Sequence, residues 1–290
     1  MSDGLIAYLL MGLVVVCLTW EMVWPRRLER AGLASRWASN VSLALIGQVL
    51  AHGSQALTLL GAAWLAHHAG GGVFARYDPG WLGALLITGF AFEIVGYSLH
   101  VLMHEVHWLW RFHAVHHSDT DLDVLSTYRH HPGEPILVAA ASIPVVIVLA
   151  PPATVVLALE ALRMIVNVVS HANIYIPERV DRVVSRFVIT PDFHRLHHCS
   201  ERRYTNSNYG VTVPWFDRLF GTASARPFAA QSSMELGLEY FREPRDSRLD
   251  RLLALPFRSF PAGVAARPGA IAAPRPRALE SRPPKLAEDR

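Results

Sequence analysis

Three sets of histidines recur at helical spacing, and a fold that uses all three on helices must bring those helix faces together. His100 and His104 stand at i and i+4; His113, His116 and His117 stand at i, i+3 and i+4; His194, His197 and His198 repeat the second pattern. On an α-helix each set shares one face. Neutral imidazole suits zinc, copper, iron and nickel, and eight rings exceed the four ligands of a closed zinc site. Two metal ions are the natural expectation. A lone histidine among the chain's fifteen would carry no such weight, since isolated histidines are ordinarily surface or core residues; the repeated spacing is the signal.

The second constraint is the distribution of apolar residues. They make up 51% of the chain and lie in long blocks, and the mean hydropathy is +0.24, which is the pattern of a membrane protein. Gly4 to Trp20 is uncharged and nearly as long as the ~20 residues a span needs. It lacks the basic start and the cleavage site of a signal peptide. No Asp, Glu, Lys or Arg lies between Arg36 and Arg76, which reads as a second span with room to tilt. A third block runs from Trp81 to Met103 around Glu93. Glu93, Tyr97, His100 and His104 form one helical stripe, so Glu93 is expected to point at the histidines and accept an imidazole N–H.

From Pro135 to Leu159 the chain is again uncharged, with Pro151 and Pro152 in the middle. Two readings compete: one long span, or a hairpin with arms Ile136 to Ala150 and Ala153 to Ser170 that turns at the helix-breaking prolines. Only the hairpin returns the second triad to the side of the first. On its second arm Glu160, Arg163, Asn167 and His171 form a polar stripe that ends on a histidine. Thr190, Pro191 and Asp192 read as the start of the helix that carries His194, His197 and His198. Asp119, Asp121 and Asp123 read as a solvated loop, and His52, His67 and His68 as incidental. Beyond about Phe260 the Pro, Ala and Arg composition reads as a disordered tail. The net charge is only +3, and Lys285 is the single lysine among 27 basic residues. Arginines outside apolar blocks suit anionic lipid surfaces better than nucleic acid, and no nucleic-acid motif is visible. Cys17 and Cys199 are too differently placed to pair.

The motifs HVLMH, WRFHAVHHS and TPDFHRLHH, followed by NYG and WFDRLFGT, run from about Glu93 to Thr222. Together they resemble the fatty acid hydroxylase and sterol desaturase superfamily. The resemblance implies an all-α integral membrane helical bundle with a cytoplasmic histidine-rich helical cap, and a di-iron centre of two iron ions with O2 as co-substrate. The activity implied is hydroxylation or desaturation of a membrane lipid, fatty acyl or sterol-like. It adds His171, in the segment HAN, as a ninth metal-site histidine beside His100, His104, His113, His116, His117, His194, His197 and His198. His131, in an R-x-H-P-x-E segment, is implied as an outer ligand or a support of the ligands, and Asn173 and Asp217 as supports, together with Glu93; His107 matches no ligand position, and His130 reads as incidental. Trp215, Phe216, Leu219 and Phe220 read as an interfacial segment.

No G-x-G-x-x-G fingerprint is present, so electrons are expected from a separate ferredoxin, cytochrome or reductase. The expected organisation is residues 1–80 as N-terminal transmembrane helices, 81–225 as a histidine-bearing catalytic domain with its hairpin at 135–170, and 226–290 as a C-terminal extension. Arg26, Arg27, Arg30 and Arg36 outweigh the single Arg76 of the next loop. Positive-inside reasoning then gives a multi-pass protein with its site on the cytoplasmic face. Two other classes compete: a membrane zinc hydrolase using metal-bound hydroxide, and a b-type haem carrier, which needs only isolated axial pairs and leaves the triads unexplained.

Overall fold

The computed structural model describes residues 3–28, 33–51, 57–68 and 70–258. Helix follows the apolar blocks. In chain order the α-helices are α1 (Asp3–Val23), α2 (Leu33–Ala51), α3 (Leu57–His68), α4 (Val73–Arg76), α5 (Gly80–Glu105), α6 (His107–His117), α7 (Gly133–Leu149), α8 (Ala153–His171), α9 (Glu178–Val184), α10 (Pro191–His197), α11 (Arg202–Thr205), α12 (Trp215–Phe220) and α13 (Leu249–Ala254). Among the described residues there is no β-strand, only isolated bridges of Pro25 with Ile174 and Cys199 with Leu236. Arg30, His52 and the tail beyond Phe260 lie outside the described residues.

Among the described residues two helices are long and apolar enough to cross a membrane, α5 and α8; at 1.5 Å per residue they measure about 39 and 28 Å. Helix α1 spans 21 residues, and the apolar α7 is shorter at 17. Of the uncharged stretch between Arg36 and Arg76, the described residues form most of α2 and all of α3; twelve-residue α3, about 18 Å long, is too short to cross by itself.

The prolines act as breakers. Helix α7 ends at Leu149, Ala150 takes a left-handed conformation (φ 51°), and α8 begins after Pro152. The arms are not a bare hairpin, because Val146 of α7 and Val156 of α8 bury themselves with Ala63 of α3 and Phe92 of α5. Helices α5 and α8 approach closely at Gly89, where an added Cβ would meet Leu159 Cδ2 at 3.1 Å. This packing brings the C-terminal end of α8, with His171, beside α6.

The acidic run is not a solvated loop. Asp119 and Asp123 are buried and both pair with Arg36 of α2. Buried Arg129 donates to the Val115 carbonyl, Ser118 Oγ and Asn40 Oδ1. A buried carboxylate is costly unless paired and hydrogen-bonded, and here α2 supplies the partners, which ties it to the end of α6. The stretch after α12 wraps the same region: Met234 and Leu236 pack with Leu122, Leu196 and Cys199, and Leu252 and Leu255 with Leu43 and Trp110.

Candidate metal centre

The nine histidines singled out by sequence lie in two groups. His100, His104, His113, His117 and His197 form one, and His116, His171, His194 and His198 the other; within each, one nitrogen from every ring lies within 4.8 Å of the rest. Helical geometry makes the division. Residues at i and i+4 share a face, so His113 and His117 of α6 serve the first group and His194 and His198 the second, while the odd member of each triad turns to the opposite group. Helix α5 adds His100 and His104 to the first, and α8 adds His171 to the second. The groups adjoin: the rings of His117 and His198 stack at 4.5 Å.

Protons and lone pairs show that the first group fits a cation. His100 Nδ1 meets the Tyr209 carbonyl at 2.8 Å, His113 Nδ1 meets Glu134 Oε1 at 2.8 Å, and His197 Nδ1 meets the Ser207 carbonyl at 2.6 Å. Those oxygens accept, so each ring carries its proton on Nδ1 and leaves Nε2 as a bare lone pair. Yet His100 Nε2 and His113 Nε2 face each other at 3.0 Å, and buried His104, His117 and His197 Nε2 meet no partner among the described residues. Two lone pairs at that distance repel unless a cation lies between them. In the second group His171 is fixed the same way by the Asn167 carbonyl at 2.8 Å. Its Nε2 stands 3.2 Å from His116 Nε2 and 3.0 Å from His194 Nε2.

Electrostatics agrees with ligation. Burial first, and the neighbouring imidazoles second, hold His116, His117, His194, His197 and His198 well below the usual histidine pKa. The rings are therefore neutral, the form that binds metal. Helix α10 is short, and three features hold it. Thr190 Oγ1 accepts the Phe193 N–H with Pro191 at the first position. Arg26 pairs with Asp192 at 3.0 Å, and Arg195 bridges Asp192 and the Ala172 carbonyl. Burial pushes the Arg195 guanidinium down to about 10.

Of the four residues expected to support the ligands, none hydrogen-bonds an imidazole of the two groups. Glu93 Oε2 accepts the N–H groups of Thr212 and Val213 at 3.2 and 3.3 Å; two helical turns below His100, about 10 Å, its carboxylate meets the loop before α12 instead. His131 accepts the Gly133 N–H and lies against Phe112. Asn173 bonds the backbone of Arg27. Asp217 acts at one remove: it accepts the N–H groups of Tyr209 and Gly210, both at 2.7 Å, and so fixes the carbonyl that orients His100.

The supports that sequence reasoning missed are His130 and Glu134. Glu134 Oε1 lies 2.8 Å from His113 Nδ1 and 3.0 Å from His130 Nδ1, and the His130 ring stacks on His116 at 4.2 Å. Burial opposes protonation of His130, but the Glu134 carboxylate overrides it and raises the pKa. The signal was present as the i, i+4 spacing of His130 and Glu134. His107 opens α6 and belongs to neither group. Cys199 is a buried free thiol outside both groups.

Comparison with known proteins bears on the same segment. The family model for fatty acid hydroxylase matches residues 85–222, a range that contains all nine histidines. Ornithine lipid hydroxylase OlsE of Rhizobium tropici is 34% identical over 144 residues, 49% of this chain and 41% of that relative. The match thus spans about two-fifths of the curated relative's length. No solved structure matches the chain.

Proposed function

We propose, from the match of residues 85–222 to the fatty acid hydroxylase family model and the likeness to a lipid hydroxylase, that this chain is a membrane-bound, O2-dependent di-iron lipid hydroxylase. The observation that carries the reading is the pair of adjoining, buried, all-imidazole groups, five rings and four. They lie where the apolar helices α5 and α8 end. His100, His104, His113, His117 and His197 would hold one iron, and His116, His171, His194 and His198 the other. When bound, the irons supply the reduction of O2 and the oxidant for an unactivated C–H bond.

The chain's own residues hold and shield. The Tyr209, Ser207 and Asn167 carbonyls and Glu134 keep the imidazole protons on Nδ1, and Arg36, Asp119 and Arg129 brace the end of α6. Met234, Leu236, Leu252 and Leu255 cover the outer side against water. A site at the ends of apolar helices suits a substrate whose chains stay in the bilayer, and the relative makes an amino-acid-bearing lipid the first substrate to try. Electrons come from a separate donor, a ferredoxin, cytochrome or reductase. In this reading the helices form a multi-pass bundle with the site on the cytoplasmic face. Residues 1–80 anchor it, 81–225 carry the chemistry, and the extension from 226 closes it.

The test compares lipid extracts by mass spectrometry from cells expressing the intact chain or a His197→Ala, His198→Ala form. Gain of one oxygen, labelled from 18O2 and dependent on the intact histidines, is the expected result. Loss of two hydrogens would make the enzyme a desaturase. A hydrolytic product labelled from water would overturn the oxygenase reading in favour of a zinc hydrolase.

A further inference from the structure

Hydroxylation leaves one surface feature unused, a ledge made of two short helices. On α9 and the turn after it, Val180, Val183, Val184 and Phe187 follow the i, i+3, i+4, i+7 spacing of an amphipathic helix. That stripe faces outward, its side chains between 36% and 63% exposed. Helix α12 buries Phe216 and Asp217 and leaves Trp215, Leu219 and Phe220 between 52% and 72% exposed. The two pieces are joined: Trp215 Nε1 and Arg218 Nη1 both donate to the Arg186 carbonyl at 3.0 Å, and Arg218 Nη2 donates to the Ser185 carbonyl at 2.7 Å. Clustered exposed apolar side chains mark an interaction surface.

Its surroundings indicate what covers it. Phe216 packs on Phe90 and Tyr97 of α5, each at 5.8 Å, and Phe220 stacks on Tyr97 at 5.5 Å. The exposed rings of α12 thereby continue the exposed face of α5, where Phe90 and Ile94 are open. Arg179 and Arg186 flank the α9 stripe, both exposed, and neither forms an ion pair among the described residues. The centre of a protein interface is depleted of charge. Apolar side chains edged by free guanidinium groups and a tryptophan instead match an in-plane segment at a lipid surface.

We propose that the α9–α12 ledge is an in-plane anchor in the lipid–water interface on the side of the histidine groups. Its apolar stripe lies among acyl chains, and Arg179 and Arg186 meet anionic headgroups. The anchor also sets a height. Phe216 adjoins Asp217, Asp217 holds Tyr209, and the Tyr209 carbonyl orients His100. From Tyr97 or Phe90, the α5 residues that Phe216 touches, His100 is about 5 to 15 Å along the helix. The ledge thus fixes how far a lipid chain must rise to reach the histidines. The proposal rests on α5 being a membrane span and not on the oxidation chemistry.

The test uses the full chain in nanodiscs of phosphatidylcholine with a minor share of phosphatidylglycerol. An environment-sensitive fluorophore is placed at Val183→Cys or Leu219→Cys; both native cysteines are buried. Leu86→Cys on α5 reports the span, and Arg203→Cys on α11 reports water. Lipids spin-labelled near the headgroup should quench the Val183 and Leu219 probes severalfold and leave the Arg203 probe unchanged. Arg179→Gln with Arg186→Gln should weaken that quenching in anionic discs and alter it little in neutral ones. Quenching by aqueous iodide, with none by spin-labelled lipid, would overturn the ledge while Leu86 still reports a span. Shielding from both quenchers would overturn it in favour of a protein partner or a second copy. A Leu86 probe outside the bilayer would sink the span and the ledge together.

Discussion

At the scale of single residues, the two histidine groups differ in how their rings are held. In the first, the Nδ1 atoms of His100, His113 and His197 each meet an oxygen at 2.8 Å or less. In the second only His171 is so fixed, and the Nδ1 atoms of His116, His194 and His198 meet no acceptor among the described residues. A hydrogen bond that orients a ligand imidazole is worth about 10- to 100-fold in metal affinity. Titration of the metal-loaded protein with a chelator should therefore remove metal in two steps, with the four-histidine group emptying first; simultaneous loss would contradict the asymmetry. Glu134 bears on the tighter group. Glu134→Ala should lower metal affinity by about 10- to 100-fold, whereas His131→Ala should retain its metal. Metal content measured by mass spectrometry distinguishes them, and equal retention in both variants would remove Glu134 from the site.

At the scale of elements, the helices that carry the histidines depend on their neighbours. Helix α10 spans seven residues, below the length at which an isolated helix persists in water, so its cap and the Arg26, Asp192 and Arg195 contacts determine it. The segment around Asn208, Tyr209 and Gly210 is equally constrained: a Cβ on Gly210 would meet the Val213 carbonyl at 2.6 Å and Asp217 Oδ2 at 2.9 Å. Gly210→Ala should cost about 1–3 kcal/mol by overpacking and loosen the Tyr209 carbonyl from His100. A lowered melting temperature with metal lost from the five-histidine group would show it. An unchanged melting temperature and full metal content would mean the loop relaxes freely.

At the scale of the whole molecule, the arginines after α1 reach the elements that carry the histidines. Arg26 pairs with Asp192 beside the second triad, Arg27 donates to the Gln231 and Met234 carbonyls, and Arg36 holds Asp119 and Asp123. These contacts place the segment after α1 on the same side of the molecule as the histidine groups. A membrane-impermeant thiol reagent should then label Arg203→Cys from one face of sealed vesicles and Asp78→Cys, beyond the other end of α5, from the opposite face. Labelling of both from one face would end the reading of α5 as a span.

What the sequence determined by itself was whatever is local. Helical spacing placed each histidine set on one face, Pro151 and Pro152 broke the apolar run, and Thr190 opened α10, because those effects act within a few residues. Tertiary structure decided the rest. It assigned each histidine to its group, buried Asp119 and Asp123 against Arg36, turned Glu93 toward Thr212 and Val213, and gave Glu134 and His130 the place expected of His131. Those outcomes depend on distances and angles between elements, and periodicity along one helix carries no information about where another helix will cross it.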